Sequence, residues 1–228
     1  MSLAVKVCGL TDPAAVEVAI EEGAAFLGFV FYPPSPRALT PTAFARLRSL
    51  VPPGIKTVGV FVDPDETSLL RILEAAPLDY LQLHGTETPE RVAELRARFG
   101  RPVIKAVPIA AAGDAEASQA YQGLVDFFLF DARPPRRPGA LPGGNALTFD
   151  WRLLAGFTAP APWLLAGGLH VGNLEEAVRL SGAQMVDVSS GVESAPGRKD
   201  PARLRAFLRL ARSLKPSHSP QRQESADP

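Results

Sequence analysis

Two short apolar runs end in glycine-bearing turns: Trp163-Leu-Leu-Ala-Gly-Gly168 and Met185-Val-Asp-Val-Ser-Ser-Gly191. The apolar residues are nearly continuous within each run, which is typical of strands that are covered on both faces. The segment between the runs is long enough for one helix, as a crossover between parallel strands requires. This pair of runs therefore predicts one strand-helix-strand unit of a parallel sheet.

The same pattern recurs along the chain and gives eight predicted strands. Successive strands begin about 20 to 36 residues apart, which leaves room for one crossover helix each. Eight such units favour an α/β fold with a single (β/α)8 barrel, or TIM barrel, over residues 1–214, and the main alternative is an open doubly wound sheet. The predicted strands occupy residues 4–7, 26–31, 56–62, 80–83, 103–107, 127–130, 163–166 and 185–188.

Helix start signals stand in the gaps between these strands. The signals are Thr11-Asp-Pro13, Thr40-Pro41, Asp63-Pro-Asp-Glu66, Thr88-Pro-Glu90 and Lys199-Asp-Pro201. The fifth and sixth units, around residues 110–123 and 150–156, have the weakest helical pattern. Residues 215–228 are poor in large apolar side chains and rich in Ser, Pro and Gln, which predicts a disordered tail.

The composition is that of a globular protein with no electrostatic preference for polyanions. Lys and Arg total 24, as do Asp and Glu, so no net charge attracts nucleic acid or an anionic membrane. No apolar run approaches the length of a membrane span, and the first residues lack the layout of a secretory signal. Cys8 is the only cysteine, which excludes an intramolecular disulfide and favours a reducing compartment. These features predict a cytoplasmic protein that binds neither nucleic acid nor membrane.

Polar side chains cluster where the predicted strands end, at the edge where the active site of a (β/α)8 barrel forms. Strand side chains alternate between faces, and alternation gives three pairs that we expect to point inward: Lys6 with Cys8, Gln82 with His84, and Asp187 with Ser189. The first and eighth strands are neighbours in a closed barrel. Lys6 and Asp187 are therefore predicted to form an ion pair beneath the site.

Two glycine-bearing turns follow the seventh and eighth strands, Ala166-Gly-Gly168-Leu169 and Ser189-Ser-Gly191-Val-Glu193. Without a Cβ, backbone amides can approach an anion closely, and a short helix starting near Gly191 would point its amino terminus at the same place. Barrel enzymes often hold a phosphate at these two strands. The turns therefore predict a phosphate site, and the alternative is that the glycines only make tight turns.

A set of short segments follows the predicted strands in a characteristic order. The segments are Lys6-Val-Cys-Gly-Leu-Thr11, Gly28-Phe-Val-Phe31, Ser35-Pro-Arg37, Leu81-Gln-Leu-His-Gly85, Leu129-Phe-Asp131, Phe149-Asp-Trp151, Leu165-Ala-Gly-Gly-Leu169 with Asn173, Val186-Asp-Val-Ser-Ser-Gly-Val-Glu193, Pro196-Gly197 and Lys199-Asp200. In this order they resemble the phosphoribosylanthranilate isomerases of tryptophan biosynthesis. The similarity runs from residue 4 to about residue 212.

The resemblance implies an Amadori rearrangement of N-(5-phosphoribosyl)anthranilate to 1-(2-carboxyphenylamino)-1-deoxyribulose 5-phosphate. The family's general base falls on Cys8 and its general acid on Asp131. An acid must protonate the ring oxygen to open the sugar, and a base must then remove the C2′ proton. Hydrogen moves within one molecule, so the resemblance implies no cofactor. The histidines, at positions 84, 170 and 218, lack metal-ligand spacing, and we predict no metal.

The resemblance also implies which residues contact the substrate. Arg37 matches the arginine that holds the anthranilate carboxylate, and phosphate binding falls on Gly168, Ser190 and Gly191. His84 has two interpretations, a substrate contact or a structural hydrogen-bonding residue. The implied partner is a small phosphosugar.

Each assignment has a structural alternative. Cys8 could be a small buried filler, Asp131 could cap the following loop, and Arg37 could be an ordinary exposed arginine beside Pro36. If Cys8 is the base, Lys6 or nearby amides are expected to favour its thiolate.

One segment departs from the family pattern, which usually has Gly-Gly-Ser/Thr-Gly-Lys before Phe-Asp-Trp. This chain has Gly143-Gly-Asn-Ala-Leu147 there, so Ala146 replaces a glycine and Leu147 replaces a lysine. The change removes backbone freedom and a cation. The contacts of this loop with the ligand therefore cannot be carried over from the family.

Three other functions fit a barrel. The sugar-phosphate isomerase of histidine biosynthesis performs the same rearrangement but uses an aspartate at the end of strand 1, where this chain has Cys8. Indole-3-glycerol phosphate synthase relies on lysine and glutamate, and its motifs are not visible. A non-catalytic phosphosugar-binding barrel would have no need for an acid and a base across the pocket. The sequence is compatible with a monomer or a homodimer.

Overall fold

Eight parallel strands close into a barrel in the computed structural model, which describes residues 2–135 and 141–215. Each strand pairs with the next, and the eighth returns to the first in a register that places Lys6 opposite Asp187. The predicted barrel is confirmed, and the alternative of an open sheet is wrong. The strands are β1 (Ala4–Cys8), β2 (Phe26–Val30), β3 (Lys56–Phe61), β4 (Tyr80–Leu83), β5 (Val103–Ile109), β6 (Phe127–Ala132), β7 (Trp163–Leu165) and β8 (Met185–Val188).

Within the described residues, six α-helices connect or follow the strands. They are α1 (Pro13–Glu21), α2 (Pro41–Arg48), α3 (Glu66–Ala75), α4 (Pro89–Phe99), α5 (Leu174–Ser181) and α6 (Pro201–Ser213). Five begin within a predicted start signal, where an Asp or Thr side chain accepts a backbone N–H of the first turn. None of these helices is long and apolar enough to cross a membrane.

The two units with the weakest helical pattern form short 3-10 helices, Asp114–Tyr121 and Trp151–Leu154. The Asp114 carboxylate accepts the backbone N–H groups of Ala110 and Ala111, which folds the chain tightly before the first of them. The second is a single turn of four residues, too short for a stable α-helix.

The interior of the barrel is apolar at its amino-terminal end. Phe26, Tyr80 and Phe127 stand at the start of alternate strands and meet edge to face, with ring centroids 5.8 to 5.9 Å apart. They pack on an apolar cluster inside the barrel, distinct from the larger cluster between the strands and helices. Side chains that point into the barrel alternate along each strand. Because aromatic rings fill the amino-terminal end, the polar side chains of the interior lie at the opposite end, where the strands finish.

The first and last helices, α1 and α6, pack against each other. Glu22, which follows α1, is 7% exposed and accepts hydrogen bonds from Arg205 and Arg209. Arg212 donates to the backbone carbonyl of the same glutamate. Beyond α6, residues 216–228 of the predicted disordered tail lie outside the described residues.

A small hairpin that the sequence did not predict lies between β8 and α6. Its strands, β9 (Glu193–Ala195) and β10 (Arg198–Lys199), pair antiparallel. The hairpin brings charged side chains to the edge of the barrel where β1 and β8 end.

Candidate active site

A pocket lies at the carboxyl ends of the strands. Six of the seven predicted site residues line it: Cys8, Arg37, His84, Asp131, Gly168 and Ser190. The seventh, Gly191, packs so closely on the turn after β7 that a Cβ would overlap the carbonyl oxygen of Leu169.

Cys8 ends β1 beside a buried ion pair. Nζ of Lys6 donates to Oδ1 of Asp187 at 2.9 Å, and Lys6 is completely buried. The predicted pair is confirmed. A Cβ on Gly28 of β2 would lie 3.1 Å from Sγ of Cys8 and 3.2 Å from Nζ of Lys6, so the thiol and the ammonium group are close neighbours.

The surroundings of Cys8 favour the neutral thiol. Burial raises the pKa of Cys8, and the positive charge of Lys6 lowers it by less. The negative charge of Asp187 also raises this pKa. Lys6 favours the thiolate, as expected, but burial outweighs it, so the thiol of the free protein keeps its proton at neutral pH.

The two oxygens of Asp131, near the end of β6, have different partners. Oδ1 accepts the backbone N–H of Ala132 at 2.8 Å, and Oδ2 lies 3.3 Å from Nε2 of His84. Nε2 of Gln82 lies 2.8 Å from Nδ1 of His84. With the amide donating to Nδ1, a neutral His84 carries its proton on Nε2, which faces Asp131. His84 is therefore a hydrogen-bonding residue that also lines the pocket.

Arg37 is buried, so its interpretation as an ordinary exposed arginine is wrong. Only 5% of its surface is exposed. Its guanidinium donates twice to Glu193, from Nε to Oε1 and from Nη2 to Oε2, both at 2.8 Å. Lys199 donates to the same carboxylate at 2.8 Å. The sequence segments contain Glu193 and Lys199, but their contacts depend on the hairpin, which only the folded chain shows.

The glycine-bearing turns after β7 and β8 meet at one side of the pocket. Gly168 has a φ of +59°, and a Cβ there would lie 2.7 Å from Cγ2 of Thr148. Its carbonyl oxygen accepts from the side chain of Asn173 at 3.1 Å. After β8 the expected short helix is present as a 3-10 helix of three residues, Ser190–Val192. It is this short because β9 begins directly after it, at Glu193.

Comparison with known proteins agrees with this geometry. A family model described as N-(5'-phosphoribosyl)anthranilate (PRA) isomerase matches residues 5–209. The chain belongs to the phosphoribosylanthranilate isomerase family. The phosphoribosylanthranilate isomerase of Rhodospirillum centenum is 53% identical over 214 residues, which are 94% of this chain and 100% of that protein. That of Cereibacter sphaeroides is 55% identical over 208 residues, which are 91% and 98% of the two chains.

Solved phosphoribosylanthranilate isomerases have the same fold. The enzyme of Thermotoga maritima superimposes with a TM-score of 0.82 and 34% identity, over 93% of this chain and 100% of that one. A structure of a phosphoribosylanthranilate isomerase in complex with reduced 1-(o-carboxyphenylamino)-1-deoxyribulose 5-phosphate gives a TM-score of 0.80 and 32% identity, with the same coverage. The family and fold predicted from the ordered segments are confirmed.

The segment that departs from the phosphoribosylanthranilate isomerase pattern, residues 143–147, lines the pocket along its whole length. A Cβ on Gly143 would lie 2.9 Å from Nε2 of His84 and 3.0 Å from Oδ2 of Asp131. A Cβ on Gly144 would lie similarly close to the guanidinium of Arg37. The altered loop therefore lies against the polar groups of the pocket, although it lacks the family's lysine.

The described ranges contain no group of three or more His, Cys, Asp or Glu side chains that could hold a metal ion. The expectation of a site without metal stays a prediction.

Proposed function

We propose that this chain isomerises N-(5'-phosphoribosyl)anthranilate to 1-(2-carboxyphenylamino)-1-deoxyribulose 5-phosphate in tryptophan biosynthesis. One observation carries the proposal: in a chain that matches the family model over residues 5–209, Cys8 and Asp131 line one pocket. An acid and a base at one pocket are what an intramolecular aldose-ketose isomerisation requires. Substrate and product are isomers, so the reaction needs no external oxidant or reductant.

Asp131 is the proposed general acid. Its proton passes to the furanose ring oxygen, the bond between that oxygen and C1′ breaks, and a Schiff base forms with the anthranilate nitrogen. The hydrogen bond from Ala132 to Oδ1 fixes the orientation of the carboxyl group. His84, 3.3 Å from Oδ2, is proposed to hold that oxygen and to contact the substrate.

Cys8 is the proposed general base. It accepts the C2′ proton of the Schiff base, which gives an enolamine that tautomerises to the ketone. The thiol must first lose its own proton, and Lys6 is the adjacent cation that can stabilise the resulting thiolate.

The two anionic groups of the substrate have separate proposed partners. Arg37 binds the anthranilate carboxylate, because a guanidinium matches a planar carboxylate with two parallel hydrogen bonds. Gly168, Ser190 and Gly191 bind the phosphate through the turns after β7 and β8. The solved relative with a bound reduced 1-(o-carboxyphenylamino)-1-deoxyribulose 5-phosphate supports a ligand of this class.

The test is the decay of substrate fluorescence when N-(5'-phosphoribosyl)anthranilate is generated in place. Wild-type protein should consume the substrate, and Cys8→Ser and Asp131→Asn should each lower kcat by about 100-fold or more. Asp65→Asn is a matched control, because Asp65 caps α3 outside the pocket and asparagine is an equally good cap. Its kcat should stay at the wild-type value.

Two outcomes would contradict the proposal. A folded wild-type protein that leaves fresh substrate unchanged would favour the non-catalytic phosphosugar-binding barrel. Full activity of Cys8→Ser or Asp131→Asn would remove the corresponding role.

The cytoplasmic location and the monomeric or homodimeric state are proposals that rest on the sequence. Cell fractionation and light scattering of the purified chain would measure them.

A further inference from the structure

Arg37 is held by a carboxylate that the proposed reaction does not use. Glu193 accepts from Nε and Nη2 of Arg37, both at 2.8 Å, in a parallel two-point contact that fixes the guanidinium plane. Glu193 is 6% exposed, so this contact differs from a solvated surface pair. A buried two-point ion pair of this kind sets the direction in which Arg37 points.

Glu193 is itself fixed from other sides. Lys199 donates to Oε1 at 2.8 Å, the backbone N–H of Gly197 donates to Oε2 at 3.3 Å, and Arg203 donates to the backbone carbonyl at 2.5 Å. Burial raises the pKa of Glu193, but the hydrogen bonds and charges of Arg37 and Lys199 lower it by more. The side chain is therefore a carboxylate at neutral pH. It is shared by two basic side chains, Arg37 and Lys199. Burial lowers the pKa of Lys199, and the charge and hydrogen bond of Glu193 offset this only in part.

The contact with Glu193 leaves one edge of Arg37 for the pocket. Glu193 occupies the edge formed by Nε and Nη2. Nη1 has no hydrogen-bond partner among the described residues. Besides its bond to Glu193, Nη2 makes only a long contact of 3.4 Å with the carbonyl of Gly144. Gly144 lines the pocket, and a Cβ on it would lie 2.6 Å from Nη1. The edge formed by Nη1 and Nη2 is thus the one that can meet a ligand.

We propose that Glu193 is a positioning residue that makes the site selective for a substrate carboxylate, by holding the free edge of Arg37 toward the pocket. The inference rests on the proposed function, from which it takes the contact between Arg37 and the carboxylate. Lys199 supports this arrangement, because its hydrogen bond to Oε1 helps to fix the Glu193 carboxylate.

The test compares two ligands that differ in one group. Reduced 1-(o-carboxyphenylamino)-1-deoxyribulose 5-phosphate and its phenylamino counterpart without the carboxyl group are each titrated calorimetrically into the full chain. Wild-type protein should bind the carboxylated ligand about 10-fold or more tightly than the other. Glu193→Gln should lower this ratio by about 10-fold while the affinity for the phenylamino ligand stays within about two-fold.

Glu193→Gln also separates positioning from charge. The substitution removes a negative charge, so a site that worked by charge alone would bind the carboxylated ligand as tightly or more tightly. That result would overturn the proposal. Glu193→Asp keeps the charge but is too short to hold both nitrogens in the same place, and it should also lower the ratio. It carries the test if Glu193→Gln does not fold, and an unchanged ratio in a folded Glu193→Asp would equally overturn the proposal.

Glu22→Gln is the matched control. It removes another buried carboxylate held by arginines, at the junction of α1 and α6. In Glu22→Gln the ratio of the two ligand affinities should equal that of the wild type. If Glu22→Gln lowered this ratio as much as Glu193→Gln does, the loss would be a general effect of destabilisation and the proposal would be overturned. Turnover of the wild type in the fluorescence assay tests the proposed function separately. An active wild type that binds both ligands equally would overturn only the role of Arg37 and Glu193.

Discussion

Ala146 has a backbone conformation that favours glycine. Its φ is +56°, in the left-handed region, where a Cβ costs about 1–2 kcal/mol. The family pattern has a glycine at this point of the loop, and the structure shows that this chain keeps the conformation without the residue suited to it.

Ala146→Gly should therefore raise the free energy of unfolding by up to about 1 kcal/mol, measured by urea denaturation. Ala155→Gly is the matched control, because Ala155 is exposed and has an ordinary φ of −62°. There the substitution should lower stability by about 0.5–1 kcal/mol, since glycine gains freedom only in the unfolded chain. Equal effects at both positions would refute the strain at Ala146.

The thiol of Cys8 should titrate at a higher pH in the folded chain than in the unfolded chain. Burial raises its folded pKa, whereas the unfolded value is about 8.5. The folded state then keeps its proton longer, so this group contributes stability below about pH 8.5 and loses it as the pH rises through the folded pKa. Because Cys8 is the only cysteine, thiolate absorbance in buffer and in denaturant measures both values. A folded midpoint at or below the unfolded one would indicate a preformed thiolate.

At the scale of the element, continuous apolar runs predicted the strands and caps predicted most helices. The runs of β1, β6 and β8 form strands because each is apolar enough to be buried on both faces. The predictions were less accurate at residues 110–123, where the Asp114 side chain takes over the backbone N–H groups and the chain forms a 3-10 helix.

The turn that carries His84 is tied to β5 by a buried ion pair. Nζ of Lys105 lies 3.0 Å from Oε2 of Glu87 and donates to the carbonyl of Gly85 at 2.9 Å. Glu87 in turn accepts the backbone N–H of Asp63 at 2.9 Å. The pair therefore joins the turns after β3 and β4 to β5.

Lys105→Met should lower the free energy of unfolding by about 3–5 kcal/mol, because it leaves the Glu87 carboxylate buried without its cation. Arg152→Met removes an exposed partner of Asp150 and should cost at most about 1 kcal/mol. Denaturant unfolding of both variants measures the difference. A loss below about 1 kcal/mol for Lys105→Met would show that water reaches Glu87.

At the scale of the whole molecule, the contact of α1 with α6 makes stability depend on pH. Hydrogen bonds from Arg209, and further bonds and charge from Arg205, hold the pKa of Glu22 below its ordinary value. The unfolded chain therefore binds a proton on Glu22 at a higher pH than the folded chain does. The stability that this group contributes is present above the unfolded pKa of about 4.3 and is lost as the pH falls through the folded value.

The free energy of unfolding of the wild-type protein should rise from acidic to neutral pH, and Glu22→Gln should make this rise smaller. Arg209→Met, which removes the first of the partners of Glu22, should reproduce most of that reduction. Urea midpoints across this pH range measure the slopes. Parallel curves for wild type and Glu22→Gln would show that the contact does not couple stability to protonation.

The sequence by itself determined the eight parallel strands, their order, the pair of Lys6 with Asp187 and the polar edge where the pocket forms. These follow from local rules, because hydrophobic period, helix caps and strand alternation act over a few residues. Only the tertiary structure decided that Glu193 and Lys199 surround Arg37 and that Cys8 has a raised pKa. Arg37 and Glu193 are 156 positions apart, and burial depends on what the rest of the chain packs around a group.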